Sequence, residues 1–306
     1  MFEKIVLVTR KTRLDELVER FNTRPQAKFY IEHAGGDFET YVHEHDAYQR
    51  SLEAVRRAVE IGLKLQTMDR SLVPSYLFSQ QDLIVTLGQD GLVANTAKYV
   101  SGQPVLGVNP DPERFDGILL PFQPQTLKLG LEQALSGNMK IRAVTLAEAR
   151  LKDGQRVLAF NDLFVGASTH VSARYRIRYG DQRENHSSSG IIVSTGAGST
   201  GWLSSVFNEA SGIVSFLGGQ PIQPKGLSWD EERLLFIVRE PFRSLHSQSN
   251  IVAGSILPDA PLAIESQMPV GGVIFSDGVE ADHLDFNSGA IANIRIAPEK
   301  ANLVMR

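Results

Sequence analysis

Three short apolar runs, each followed by a stretch of helical periodicity, constrain this chain more than any other feature. They are Ile5–Val8, Leu83–Leu87 and Val105–Val108. Runs this short, bounded by turn residues, suit strands buried on both faces of a parallel sheet. After the first comes "TRLDELVERF", where Thr12 and Asp15 fit a capping box in its aspartate form. Leu14, Leu17, Val18 and Phe21 then share one helical face. "DAYQRSLEAVRRAVEIGLKL" predicts a second helix, with Tyr48, Leu52, Val55 and Val59 on one side. "GLVANTAKYV" predicts a third, and "QTLKLGLEQALSG" a fourth that ends in glycine. Strand and helix in alternation imply a parallel sheet with flanking helices. Segment 33–46, "HAGGDFETYVHEHD", reads as a mobile loop.

Near residue 140 the pattern changes. In "VSARYRIRY", Val171, Ala173, Tyr175, Ile177 and Tyr179 alternate with polar residues, as in a half-buried strand that turns at Gly180-Asp181. Further strands are expected at Arg156–Phe160, Ile191–Ser194, Leu234–Val238, Leu262–Glu265, Val273–Ser276 and Ile291–Ile296, and Asp277-Gly278 reads as a hairpin turn. Only "GWLSSVFNEAS" looks helical there. At roughly 150 residues per domain, a chain of 306 residues suggests two domains. The expected division is an α/β nucleotide-binding domain over 1–139 and a β-rich substrate-binding domain over 140–306. Whether the last strand returns to the first domain stays open.

Composition narrows the chemistry. The chain has no cysteine, which removes disulfides, thiolate zinc sites, iron–sulfur clusters and cysteine catalysis. A net charge of -4 argues against a nucleic-acid partner. No apolar run approaches the roughly 20 residues that span a bilayer. The start, "MFEKIVLVTRKTR", reads as a strand rather than a signal segment, so a cytoplasmic protein is expected.

Three motifs can carry chemistry. In Gly88-Gln89-Asp90-Gly91, a glycine-bounded strand-to-helix turn offers N–H groups to a phosphate, and its carboxylate suits an acceptor hydroxyl or a metal. Alternatively Asp90 caps a helix that starts at Gly91. Asn161-Asp162 can recognise a base edge and a ribose hydroxyl, or form an Asx turn between strands. "GIIVSTGAGSTGWLSS", 190–205, supports a dinucleotide fingerprint, a nucleophile elbow at Ser199, or a small-residue loop with Trp202 as a flat wall. An elbow would need Asp230 or Asp259 and His246 or His283. His43 and His45 with Glu44 and Asp46 lack a third metal ligand, and a polar loop is favoured. Arg174, Arg176 and Arg178 read as a solvated strand face. Arg10 and Lys11 either reach a phosphate or are solvated.

Together these motifs resemble the NAD kinase family. "GQDGL" is similar to that family's GGDGT loop, "ND" to its Asn-acidic pair, and "TGAGSTGW" to its Thr-Gly-Ser-Thr-Ala-Tyr-like loop. Gly107-Val108-Asn109 in "PVLGVNPDPERFDG" fits the family's GVN. "DPER", Gly196 and Trp202 resemble the mitochondrial-type branch. Gln89 stands where the family has glycine, Leu92 where it has threonine, and Ala197 where it has a hydroxyl.

The resemblance implies an NAD kinase-like two-domain fold and transfer of the γ-phosphate of ATP to the 2′-hydroxyl of the adenosine ribose of NAD. It makes Asp90 the catalytic acid–base group and Gly88, Gln89 and Gly91 the donor loop. It makes Asn109, Asn161, Asp162, Thr195, Gly198, Ser199 and Trp202 substrate-binding residues. Mg²⁺ would come with the nucleotide, with no dedicated protein metal site. NADH or another nucleoside as acceptor, and polyphosphate as donor, stay open. A homodimer or higher homo-oligomer is implied. Two rivals are a nucleotide-binding relative with weak or no transfer, because of Gln89 and Leu92, and a serine hydrolase using Ser199.

Overall fold

The computed structural model describes residues 2–222 and 226–306. They form two compact units, one running to Arg142 and taking back Asn302–Arg306, the other from Ala143 to Ala301.

The first unit contains, in order, β1 (Lys4–Thr9), α1 (Arg13–Phe21), α2 (Arg24–His33), α3 (Phe38–Ala58), β2 (Lys64–Asp69), β3 (Asp82–Leu87), α4 (Asp90–Ala97), β4 (Pro104–Val108) and α5 (Leu127–Leu135). The strands pair in parallel in the order β2-β1-β3-β4, as the alternation predicts. Ile5, Leu7, Leu83, Val85, Leu106 and Val108 are buried within one core that also takes Tyr48 and Val55 of α3 and Leu127 and Leu131 of α5. α1 begins as its sequence dictates. The Thr12 hydroxyl accepts from Asp15 N–H, and the Asp15 carboxylate accepts from Thr12 N–H at 2.8 Å. Leu14 is buried, with Leu17, Val18 and Phe21 packed around it.

Three elements of the first unit depart from the sequence reading. Segment 33–46 is not a loop throughout, because α3 starts at Phe38. Asp37 caps it by accepting from Glu39 N–H at 3.0 Å, and Phe38 is buried against Leu14, Ala27 and Ile31. The polar run from His43 to Asp46 masked that helical face. α2 was not expected, since only Ala27 and Ile31 of its ten residues are buried. β2, "KLQTMD", is an exposed edge strand with no apolar run to announce it.

The second unit contains β5 (Lys140–Leu151), β6 (Arg156–Ala159), β7 (Asp162–Ala167), β8 (Ala173–Tyr179), β9 (Gln182–Ser188), β10 (Ile191–Ser194), α6 (Trp202–Phe216), β11 (Leu234–Val238), β12 (Ala253–Ile256), β13 (Leu262–Ser266), β14 (Gly272–Ser276), β15 (Val279–Asp285) and β16 (Ile291–Met305). One antiparallel sheet runs β12-β11-β10-β7-β14-β15. In the other, β16, β13, β8 and β9 pair antiparallel in turn. Residues from both sheets, including Val165, Tyr175, Ile177, Phe236, Ile264 and Ile274, bury one shared core. In β8, Ala173, Tyr175 and Ile177 point inward as the alternation predicts, but Val171 lies before the strand and is exposed. β9, "QRENHSS", pairs with β8 over its whole length and has no hydropathy signal. Asp277 and Gly278, with φ of 54° and 70°, form the two-residue hairpin between β14 and β15.

Replacing Thr12 by Ala removes a buried N-cap, and should lower unfolding free energy by about 1 kcal/mol. Equilibrium unfolding in urea measures this directly. An unchanged midpoint would mean that the cap contributes nothing.

Candidate functional site

In the first unit, parallel pairing of β1, β3 and β4 brings the residues after Thr9, Leu87 and Val108 to one edge of the sheet. Open parallel sheets hold their ligands beyond the carboxyl ends of the strands. Tyr48 braces this edge from α3. Its hydroxyl accepts from Arg10 N–H at 3.0 Å and donates to the Leu87 carbonyl at 3.2 Å.

The turn after β3 carries Gly88, Gln89, Asp90 and Gly91. Gln89 is the N-cap of α4 with φ of -82° and no side-chain capping bond. That backbone is open to any residue, so glutamine introduces no strain where glycine is expected. Gly88 is constrained by packing, since a Cβ there would meet Leu92 Cδ2 at 2.7 Å. Gly91 is different. It has no positive φ, and a Cβ there would meet nothing within 4 Å. The fold itself therefore does not require glycine at residue 91.

Asp90 is the first residue of α4 rather than its cap. Its Oδ1 accepts from Leu119 N–H at 2.6 Å. The loop after β4 reaches Asp90 because Gly107 has no side chain: a Cβ there would lie 2.2 Å from the Leu119 carbonyl oxygen. Asn109 orders the same loop. Its amide donates to the Phe115 carbonyl at 2.9 Å, and its Oδ1 accepts from Asp111 N–H at 3.0 Å.

In the second unit, Asn161 and Asp162 sit where β6 passes into β7. Asp277, at the β14–β15 hairpin, holds their backbone. Its carboxylate accepts from Phe160 N–H at 3.0 Å, Asn161 N–H at 2.7 Å and Asp162 N–H at 3.3 Å. The side chains of Asn161 and Asp162 make no hydrogen bond among the described residues. Burial, with the Asp277 charge adding to it, pushes the Asp162 carboxyl up to about 7. At neutral pH this group can therefore either donate or accept.

The loop after β10 folds against the same backbone. Thr195 N–H donates to the Asn161 carbonyl at 2.9 Å, and the Thr195 hydroxyl donates to the Phe160 carbonyl at 2.6 Å. A Cβ at Gly198 would lie 2.1 Å from the Asn161 carbonyl oxygen, so only glycine permits this approach. The Ser199 hydroxyl donates to the Gly196 carbonyl at 2.7 Å. Among the described residues no histidine or other base bonds it, as a nucleophilic serine needs.

Trp202 opens α6 and lies on the wall of a separate cavity of about 940 Å³. Phe164 stacks on its indole at 5.7 Å, and the Arg239 guanidinium lies 5.4 Å from the ring centre. Phe275, His283 and Asn287 also face the cavity, whereas Asn161, Asp162, Thr195 and Ser199 do not line it. The structure thus gathers Asn161, Asp162, Thr195, Gly198 and Ser199 around one backbone crossing, and Trp202 stacks on Phe164, two residues beyond Asp162. Asp277 and Phe164 escaped sequence reasoning. Asp277 read only as a turn, but Phe164 was accessible by strand alternation from Asp162. His45 is engaged with Thr12 at 2.9 Å, and no group of three His, Asp or Glu side chains able to hold a metal exists among the described residues.

No protein-family model matches the chain. It is 31% identical to an NAD kinase of Chlorobium phaeobacteroides over 171 residues, covering 54% of this chain and 55% of the relative. The alignments to the bacterial NAD kinases span about half of each relative's length. Human mitochondrial NAD kinase 2 is 23% identical, with 97% of this chain and 82% of the relative covered. The crystal structure of an Archaeoglobus fulgidus NAD kinase in complex with ATP superposes with a TM-score of 0.56 at 18% identity, covering 98% of this chain and 93% of that one.

The raised carboxyl of Asp162 has a consequence for stability. A carboxyl that holds its proton more tightly folded than unfolded makes the fold lose stability as pH rises from about 4 to about 7. Asp162→Asn should remove that loss, so that it gains more in melting temperature at pH 8 than at pH 4. Parallel melting shifts at both pH values would show that Asp162 titrates normally.

Proposed function

We propose that this chain, whose sequence and fold are those of the NAD kinase family, transfers the γ-phosphoryl group of ATP to the 2′-hydroxyl of the adenosine ribose of NAD, giving NADP. The observation that carries this reading is Asp90. It stands between two glycines in the first turn of α4, with one oxygen held by Leu119 N–H at 2.6 Å. A carboxylate oriented in this way, beside a turn able to take phosphates, suits an acceptor hydroxyl.

In this reading Asp90 accepts the hydrogen bond of the 2′-hydroxyl and aims its oxygen at the γ-phosphorus. A new P–O bond forms to the ribose, the bond to the bridging oxygen breaks, and ADP leaves with the electron pair. The hydroxyl proton passes to Asp90 or onward to water. Such transfers depend on positioning and electrostatics more than on covalent chemistry. Gly88 and Gly91 let the donor approach the backbone, and Gln89 keeps its extended conformation. Asn161 has the amide donor and acceptor needed to read an adenine edge, and Asp162 suits a sugar hydroxyl. Thr195, Gly198 and Ser199 shape the floor beneath that pair. Asn109 acts at one remove, ordering the loop that restrains Asp90. Trp202 with Phe164 offers a flat wall for a planar ring.

Mg²⁺ would neutralise the donor phosphates, which would themselves supply most of its ligands. Acceptors other than NAD, and polyphosphate as donor, belong to the same assay. A cytoplasmic, homo-oligomeric protein completes the reading. No helix among the described residues is long and apolar enough to cross a membrane.

Asp90→Asn should lower turnover by about 100-fold or more, the scale of a positioned acid–base group, while NAD affinity changes little. Near-normal turnover would remove Asp90 from the chemistry. The double variant Gln89→Gly with Leu92→Thr should shift donor KM more than acceptor KM, with kcat measured separately. If instead NAD binds, no donor supports transfer, and activity appears only in this double variant, the chain is a binding protein.

A further inference from the structure

Three arginines converge on one buried carboxylate at the same edge of the first unit's sheet. Arg10 follows β1, Arg13 opens α1, and Arg114 lies in the loop after β4. Glu44 of α3, with only 5% of its side chain exposed, accepts from Arg10 Nη2 at 3.4 Å, Arg13 Nε at 2.8 Å and Arg114 Nη1 at 3.2 Å. Asp111 stands 3.7 Å from Arg114 Nε. Two carboxylates thus face three guanidinium groups.

Arg10 is the least satisfied of the three. Its side chain is 12% exposed, and its contacts to Glu44 and to the Lys11 carbonyl are both 3.4 Å long. Charge-assisted bonds are ordinarily about 2.7–2.9 Å. Its Nε–H is buried with no hydrogen-bond partner among the described residues. A buried donor without an acceptor is costly, most of all on a charged group. Yet Arg10 is held firmly. Tyr48 accepts its backbone N–H, and the Tyr48 ring lies 5.8 Å from the guanidinium. Its side chain runs beside the donor turn, because a Cβ at Gly88 would be 3.6 Å from Arg10 Cδ.

We infer that Arg10, backed by Arg114, is an anion-binding position for the phosphate chain of the donor, and that Glu44 holds the guanidinium groups in place for it. The ligand chemistry is a linear polyphosphate, either the tail of a nucleoside triphosphate or an inorganic chain. A phosphoryl oxygen at the exposed part of the guanidinium gives Arg10 the short charge-assisted partner that its 3.4 Å contacts do not. This assignment rests on Gly88–Gly91 being the donor turn. It also accounts for how that turn can retain a donor with Gln89 and Leu92 in place of glycine and threonine: side-chain cations take over part of the hold.

Calorimetric titration of the full chain with tripolyphosphate, and separately with ATP, tests this without any acceptor present. Arg10→Met should weaken binding about 10- to 100-fold, the worth of a hydrogen bond to a charged group. Arg10→Lys should recover part of the loss, and circular dichroism establishes that each variant is folded. Loss toward both ligands, or toward either one alone, supports the site, and the ligand affected identifies the source of the chain. Unchanged affinity for both in folded Arg10→Met overturns it. In the transfer assay, donor KM should rise in this variant while acceptor KM stays. If no donor supports transfer but Arg10→Met still loses tripolyphosphate, the proposed reaction fails and the anion site stands.

Discussion

Parallel pairing of β1, β3 and β4 is the constraint on which the first unit's site depends. Backbone hydrogen bonds set the register, and burial of side chains such as Leu7, Val85 and Leu106 secures it. The residues just past each strand must then emerge side by side. Arg10, the Gly88–Gly91 turn and the loop beyond Asn109 meet for that reason. Little else is left to chance at this edge. Tyr48 ties the end of β1 to the end of β3, and the bare backbone of Gly107 admits the strand of loop that holds Asp90. Because the sheet does not rely on the turn's side chains, Gln89 is accommodated with an ordinary φ.

The second unit solves the equivalent problem with a hairpin. A type I′ turn needs two residues that tolerate positive φ, and Asp-Gly meets that need. The same aspartate also reaches back to three successive N–H groups at Phe160, Asn161 and Asp162. One residue thus closes the β14–β15 hairpin and shapes the crossing of β6 into β7. Its charge, added to burial, raises the Asp162 carboxyl. Folding and site chemistry are coupled there, since any change at Asp277 alters both the backbone and the protonation of its neighbour.

Legibility varied with how local the determining physics is. α1 could be read in full because its cap and its apolar face lie within ten residues of each other. β2 and β9 could not, because their pairing comes from backbone bonds to β1 and β8 and their side chains carry no apolar pattern. The GQDG turn was visible, but Asp90's partner, Leu119, is 29 residues away. Glu44 shows the gap most clearly. In sequence it belonged to a polar run with two histidines and read as part of a loop. In the folded chain it is turned inward to serve arginines from two separate segments, Arg10 and Arg13 at the start of the chain and Arg114 far along it.

The sequence by itself determined the element types where periodicity was strong, the turns where glycine or Asp-Gly was needed, and the absence of thiol chemistry. It also carried the motif order that resembles one family. Tertiary structure alone decided which polar groups are partnered and which are left waiting. The reason is physical. Periodicity reports that a side chain is buried against something, but a hydrogen bond or ion pair depends on which atom stands within about 3 Å. That is settled only when distant segments pack. Arg10 Nε, buried and without an acceptor among the described residues, is a fact of that second kind.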